Sequence, residues 1–177
     1  MKFLVYLSLV FLAMSCAIRQ PFTTDIKKEY DLNTPDAMKK VQFYTSSSIV
    51  LERVVTNGGK AKTDDGTLVT SKSKEENRII IPSVTKCVFE SFEANGDIIV
   101  RFEQGAGRVL KFAIRENQPN GRFYFIAKWE YDKGAEVSYG NEIYYATSNS
   151  ANACLLVSIK KLQKTRRKDR VVKGMKV

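Results

Sequence analysis

The chain of 177 residues contains no histidine. That absence removes Ser-His-Asp triads, Cys-His dyads, histidine general bases and the commonest zinc ligand set. Nor is there an apolar run of the roughly 20 helical residues that a bilayer core requires; the longest, Phe3–Met14, is stopped by Arg19, Gln20 and Pro21. With only three cysteines, Cys16, Cys87 and Cys154, a multiply stapled disulfide framework is also excluded.

The remaining routes to catalysis fare poorly. Cys87 has no histidine to activate it and reads as a structural thiol. Glu90 and Glu93 are three apart, so on a regular strand they face opposite sides and cannot converge as a glycosidase pair would. Asp64-Asp65-Gly66 has turn chemistry and lacks the alternating oxygen ligands of a calcium loop. Gly105-Ala106-Gly107 lies between two strands and precedes no helix, so it has no phosphate-binding context. These residues predict a protein that is not an enzyme and that carries no cofactor and no metal.

What is present begins at the N-terminus. Lys2 precedes an apolar stretch interrupted only by Tyr6 and Ser8, and small Ser15 stands immediately before Cys16. This is the layout of a secretory signal with a charged n-region, a short h-region and a small-residue cleavage site. Leu12-Ala13-Met14-Ser15-Cys16 resembles the lipobox of bacterial lipoproteins. The resemblance covers residues 1–16 only. It implies removal of 1–15, acylation of Cys16 by palmitate-type chains, and a stable membrane anchor, because several acyl chains hold where one does not. Ala17, in place of an aspartate, resembles the outer-membrane default of enterobacterial lipoproteins.

The net charge of +10 is concentrated at the other end. Lys160, Lys161, Lys164, Arg166, Arg167, Lys168, Arg170, Lys173 and Lys176 face a single acid, Asp169. That is a local +8, and once Lys2 leaves with the leader the body is close to neutral. These nine bases are the candidate anion contacts. A run of like charge reads either as a solvated end or as a grip on the phosphates of lipid, lipopolysaccharide or nucleic acid. No aromatic residue follows Leu162, which argues against stacking on single-stranded bases, and export argues against nucleic acid altogether. Docking on the acidic face of a partner protein is a further reading.

Between the two ends the apolar period is two. Phe123, Phe125, Ala127, Trp129 and Tyr131 alternate with Arg122, Tyr124, Ile126, Lys128 and Glu130, predicting a strand over 122–131. Ile98/Val100/Phe102 and Leu110/Phe112/Ile114 alternate likewise, and Asn95-Gly96-Asp97 is a hairpin signal. Further strands are expected at 41–45, 48–55, 78–81, 87–94, 137–147 and 152–162, with 56–73 a mobile hairpin or loop. Thr34-Pro35 supplies a hydroxyl cap and a proline for a short helical turn.

The pattern predicts a mainly β fold, a single antiparallel β-sandwich or barrel-like domain over 34–162. It follows a lipidated tether at 16–33 and precedes a basic, disordered tail at 163–177. Most segments are too short for a membrane barrel and their polar faces carry Arg, Lys and Glu, so a soluble domain fits better. Cys87 and Cys154 are the candidate disulfide pair in an oxidising envelope, although alternation places Cys154 on the face opposite Leu155 and Val157. Tyr124, Tyr139, Tyr144 and Tyr145 read either as a sugar- or partner-binding patch or, more simply, as sheet packing.

The expected function is that of a non-catalytic, membrane-anchored lipoprotein, an accessory or scaffold subunit of a cell-envelope assembly facing the periplasm. The alternative is a binding module for an anionic or carbohydrate envelope polymer.

Overall fold

The computed structural model describes residues 18–62, 68–130, 134–166 and 174–175. The fold is mainly β and its registered strand pairs are all antiparallel. Twelve strands are described: β1 (Arg19–Pro21), β2 (Gln42–Thr45), β3 (Ile49–Lys62), β4 (Leu68–Ile81), β5 (Lys86–Phe92), β6 (Ile98–Arg101), β7 (Val109–Ile114), β8 (Phe123–Ile126), β9 (Lys128–Glu130), β10 (Gly134–Tyr139), β11 (Glu142–Ala146) and β12 (Leu155–Ser158). Three short helices accompany them: α1 (Thr24–Glu29), α2 (Pro35–Met38) and α3 (Ile159–Arg166).

Seven strands form one sheet in the order β1-β12-β2-β5-β6-β7-β8, and five form a second in the order β4-β3-β11-β10-β9. The first sheet curls until its far strand meets its beginning. Thr23 bridges Arg122, Tyr124 bridges Cys154, and the Phe125 N–H donates to the Ala153 carbonyl at 2.7 Å. Isolated bridges in place of a continuous ladder leave the arrangement sandwich-like, without a closed barrel.

Alternation decides what the curl encloses. On the inner face lie Phe43, Val100, Leu110, Phe112, Leu155 and Val157, all essentially fully buried. Ile49, Leu51, Ala135 and Ala146 of the second sheet join the same core. Phe22 stands between the two ends of the curl, edge-on to Phe43 (centroids 5.1 Å) and stacked on Phe123 (5.4 Å). Such aromatic pairs add about 0.5–1.5 kcal/mol each beyond their burial.

Phe22 also corrects the expected tether. Residues 19–33 belong to the domain: β1 pairs with β12, α1 is capped by Thr23 Oγ1 accepting from the Ile26 N–H, and Phe22, Ile26 and Leu32 are buried. Three isolated apolar residues in a polar stretch carry no periodic signal, which is why they read as linker. The helical turn expected at Thr34-Pro35 forms as α2, with Thr34 Oγ1 accepting from the Ala37 N–H and Met38 fully buried.

Other boundaries also move. The segment expected as one strand over 122–131 leaves the first sheet at Ala127 and enters the second as β9. The segment 137–147 is a hairpin, because Gly140 (φ 61°) and Asn141 (φ 68°) form a two-residue turn with both residues left-handed, the type that matches strand twist. Strands β3 and β4 stay in register through Lys62↔Leu68, well beyond the expected ends near Val55 and Arg78.

The last correction is at 152–162. The strand stops at Ser158 and α3 begins, so residues expected in the strand and in the disordered tail are helical through Arg166. Ile159 and buried Leu162 are three apart, which is the point where the period changes from two to helical.

The candidate disulfide does not form; both Cys87 and Cys154 are free and buried. Cys87 pairs with Phe43, whereas Cys154 exchanges hydrogen bonds with Ser46, three residues further on and just past the end of β2. Three residues and two strand spacings separate the Cα atoms by about 14 Å, on opposite faces. A disulfide needs roughly 4.4–6.8 Å.

Candidate functional site

The outer face of the seven-stranded sheet divides electrostatically into two halves. On the β6–β7 half the strand cations Arg101 and Lys111 each have a carboxylate. Arg101 binds Glu90 through two bonds of 2.7 Å, and Lys111 binds Glu93 at 2.7 Å. In the loop between β6 and β7, Arg108 binds Glu103 at 3.0 Å, and the Tyr139 hydroxyl donates to the other oxygen of Glu103 at 2.7 Å.

This half overturns the opposite-face expectation for Glu90 and Glu93. A bulge between Phe89 and Ser91 adds one residue at Glu90, which resets the alternation. Both carboxylates therefore reach outer-face cations, each neutralised by its own partner. The Arg101 hydrogen bonds hold the Glu90 carboxyl below the usual range.

The other half is organised around Tyr44, where registry brings together residues distant in the chain. Tyr44 lies between Leu156 of β12 and Lys86 of β5, and Arg19 of β1 lies opposite Ser158 of β12. The Arg19 guanidinium sits 4.4 Å from the Tyr44 ring centroid, and Lys161 Nζ of α3 donates to the Tyr44 hydroxyl at 3.3 Å. Lys86, paired with Tyr44, is exposed beside them, and Lys160 is exposed on α3. Among the described residues, Arg19, Lys86 and Lys160 have no carboxylate within ion-pair distance. Ser158, itself buried, has a side-chain oxygen with no hydrogen-bond partner.

Of the anion contacts expected from sequence, Lys161 reaches this cluster and Lys160 lies exposed beside it in the chain at the start of α3. Lys164 and Arg166 lie on α3. Cys16, Arg167, Lys168, Arg170, Lys173 and Lys176 lie outside the described residues. Arg19, Tyr44, Lys86 and Ser158 were not legible as site residues, because only the strand order β1-β12-β2-β5 assembles them.

The aromatic patch does not assemble. Tyr124 and Tyr139 are buried, Tyr144 packs against the core, and Tyr145 opposes Glu136 on the other face of the second sheet. Tyr124 is covered by the Arg115 guanidinium, 4.7 Å from its centroid. Two open grooves lie among the described residues. One of about 400 Å³ lies between β7 and β10, lined in part by Ile99, Val109, Ile126 and Val137. The other, of about 290 Å³, joins the two electrostatic halves and is lined in part by Gln42, Lys86, Val88 and Arg101.

Burial pushes the Cys87 thiol up to about 12, so it is protonated and unreactive at neutral pH. Burial and the bond to Glu103 raise Tyr139 as well. Among the described residues no three His, Cys, Asp or Glu side chains group as metal ligands, and no helix is long and apolar enough to cross a membrane. Comparison with protein-family models, with curated proteins and with solved structures finds no match to this chain.

Proposed function

We propose that the protein is a non-catalytic lipoprotein, held by acyl groups on Cys16 to the periplasmic face of an outer membrane, where it serves as an accessory or scaffold subunit of an envelope assembly. The observation that carries this reading is the leader ending in Ser15-Cys16. The start of β1 supports it. Arg19 is three residues beyond Cys16, and three extended residues span only about 10 Å. Acyl chains at Cys16 would hold the β1 edge of the sheet close to the bilayer, with no long tether between them.

A domain so held presents its remaining surfaces to a partner. The total absence of histidine and the pairing of the Glu90 and Glu93 carboxylates with cations favour recognition over chemistry.

Two measurements test the proposal. Mass spectrometry of protein extracted from membranes should find a diacylglyceryl thioether and an N-acyl group on Cys16; a free thiol there refutes the anchor. Affinity capture from detergent-solubilised envelopes should return a stoichiometric protein partner. Recovery of the monomer alone refutes the scaffold role.

A further inference from the structure

We propose that the free edge of β4 pairs antiparallel with the same edge of a second copy of this chain, about a two-fold axis at Lys74, joining the two five-stranded sheets into one. The pairing needs only β4 and is independent of the Cys16 reading.

Among the described residues β4 is a long edge left open. It ends the order of the second sheet, and its 14 residues pair with β3 alone. The other outer strands are closed or short. Thr23 bridges Arg122 and Tyr124 bridges Cys154 where the first sheet curls, and β9 has three residues. Proteins keep edge strands from pairing with other chains by shortness, proline or a bulge. β4 contains no proline, keeps an unbroken register with β3 and runs about 45 Å.

The backbone groups of that edge can be assigned. The Val50 N–H donates to Ser150 Oγ at 2.9 Å, and the Val50 carbonyl accepts from the Thr147 N–H at 3.0 Å, so both turn away from β4. Direction alternates along a strand, so the odd-numbered residues of β3 bond the odd-numbered residues of β4. The even-numbered residues of β4, from Leu68 to Ile80, therefore turn N–H and C=O to the open side. Such a row is a template for another strand.

Charge and apolar pattern make a second copy the occupant. With Lys74 on the axis, Leu68 of one copy would stand opposite Ile80 of the other, Val69 opposite Ile79, and Lys72 opposite Glu76, each twice by symmetry. Opposite charges and apolar pairs at such positions stabilise a sheet, and like charges destabilise it. Lys74 would meet its own copy, with Glu76 of that copy on the diagonal. Moving the axis one residue either way sets Lys72 against Arg78 or against Lys74, so the charges select one register. In that register even-numbered residues oppose even-numbered ones, and each opposed pair exchanges two backbone hydrogen bonds. The edge of β3 beyond Glu52 offers no such match, since it holds no acid and carries Gly58-Gly59. A two-fold interface of this kind closes at two chains.

The test uses the chain from Ala17 onward, which contains every described residue. Sedimentation equilibrium should show monomer and dimer exchanging at micromolar concentrations. Lys74→Cys should form an intermolecular disulfide on mild oxidation, because hydrogen-bonded cross-strand Cα atoms lie about 5.5 Å apart. Lys72→Cys, displaced from its own copy by about 13 Å, should not. Thr70→Pro removes an outward N–H without touching the ladder to β3 and should give a monomer with an unchanged circular dichroism spectrum. Lys72→Glu should weaken the dimer roughly tenfold by making two attractive pairs repulsive, and adding Glu76→Lys should restore it.

A monomer at every concentration overturns the proposal. So does a dimer that cross-links through Lys72→Cys and not Lys74→Cys, or one that Thr70→Pro and Lys72→Glu leave unchanged. A monomer whose even-numbered β4 amides resist hydrogen exchange would give the edge to another segment of the same chain and overturn it too. The dimer and the anchor fail separately: an acylated Cys16 stands with a monomer, and a dimer stands with an unmodified Cys16.

Discussion

Replacing Thr45 by valine changes the shape of the core very little and should destabilise the protein by about 2 kcal/mol. Thr45 is fully buried at the end of β2. Its hydroxyl donates to the Pro82 carbonyl at 2.9 Å and accepts from the Thr85 N–H at 3.1 Å. Its backbone accepts from the Val84 N–H at 2.8 Å, so one residue organises the whole Pro82–Thr85 turn. That turn is strained, because Val84 has φ 63°, a conformation that costs an L-residue roughly 1–2 kcal/mol and suits a β-branched one least.

In the variant the Pro82 carbonyl keeps the Thr85 hydroxyl at 2.7 Å, but the Thr85 N–H retains only a long 3.4 Å contact with Pro82. Two neutral hydrogen bonds at about 1 kcal/mol each give the estimate. For a chain of this size the loss lowers Tm by about 4–8 °C, measured by thermal circular dichroism and confirmed by urea unfolding. Val84→Gly should stabilise wild type by about 0.5–1 kcal/mol, the relieved strain less the entropy of the new glycine. In the Thr45→Val background that gain should shrink, because a loosened turn has already released Val84. A Thr45→Val protein melting within a degree of wild type, or additive effects in the double variant, would refute the argument.

Cys87 makes stability fall with alkali. The unfolded thiol ionises near its ordinary value of 9.0 and the buried one near 12, so above pH 9 the native state holds the extra proton and loses ground as pH rises. Urea unfolding should show about 1 kcal/mol lost between pH 9 and pH 10, and Cys87→Ala should remove that slope. Tyr139, raised from an ordinary value of 10.0, adds a smaller loss that begins at the top of this window and grows above it. Phe22→Ala should cost about 3–5 kcal/mol by emptying the space between Phe43 and Phe123. A chain beginning after Asn33 should fail to fold cooperatively; if it melts like the full chain, residues 19–33 are a tether after all.

The parts of this fold that were legible in the sequence are those fixed by local alternation. Ile98–Arg101 buries alternate side chains as its spacing predicts, as do Leu110 and Phe112 of β7, although Ile114, expected beside them, is exposed and Ala113 buried; Asn95-Gly96-Asp97 joins strands through Asn95 Oδ1 accepting from the Asp97 N–H. Illegible were events involving one residue against a regular background. Ala127 switches sheets, Glu90 is a bulge, and Gly140-Asn141 reverses a chain whose flanks alternate without interruption. Period-two reading cannot see a one-residue slip, yet such a slip changes the face of everything after it. That is how Glu90 and Glu93 came to share a face.

The candidate site was hidden for a different reason. Its residues come from positions 19, 44, 86 and 158–161, and each is ordinary in its own neighbourhood. Lysine and arginine on the polar side of a strand need no explanation singly. They acquire one only once β12 is inserted between β1 and β2, a long-range choice that no local pattern specifies. The same insertion sets β1 beside β12, from which α3 continues. The domain itself is nearly neutral, so the face around Tyr44 differs from the rest of the sheet only by the cations that this insertion collects on it.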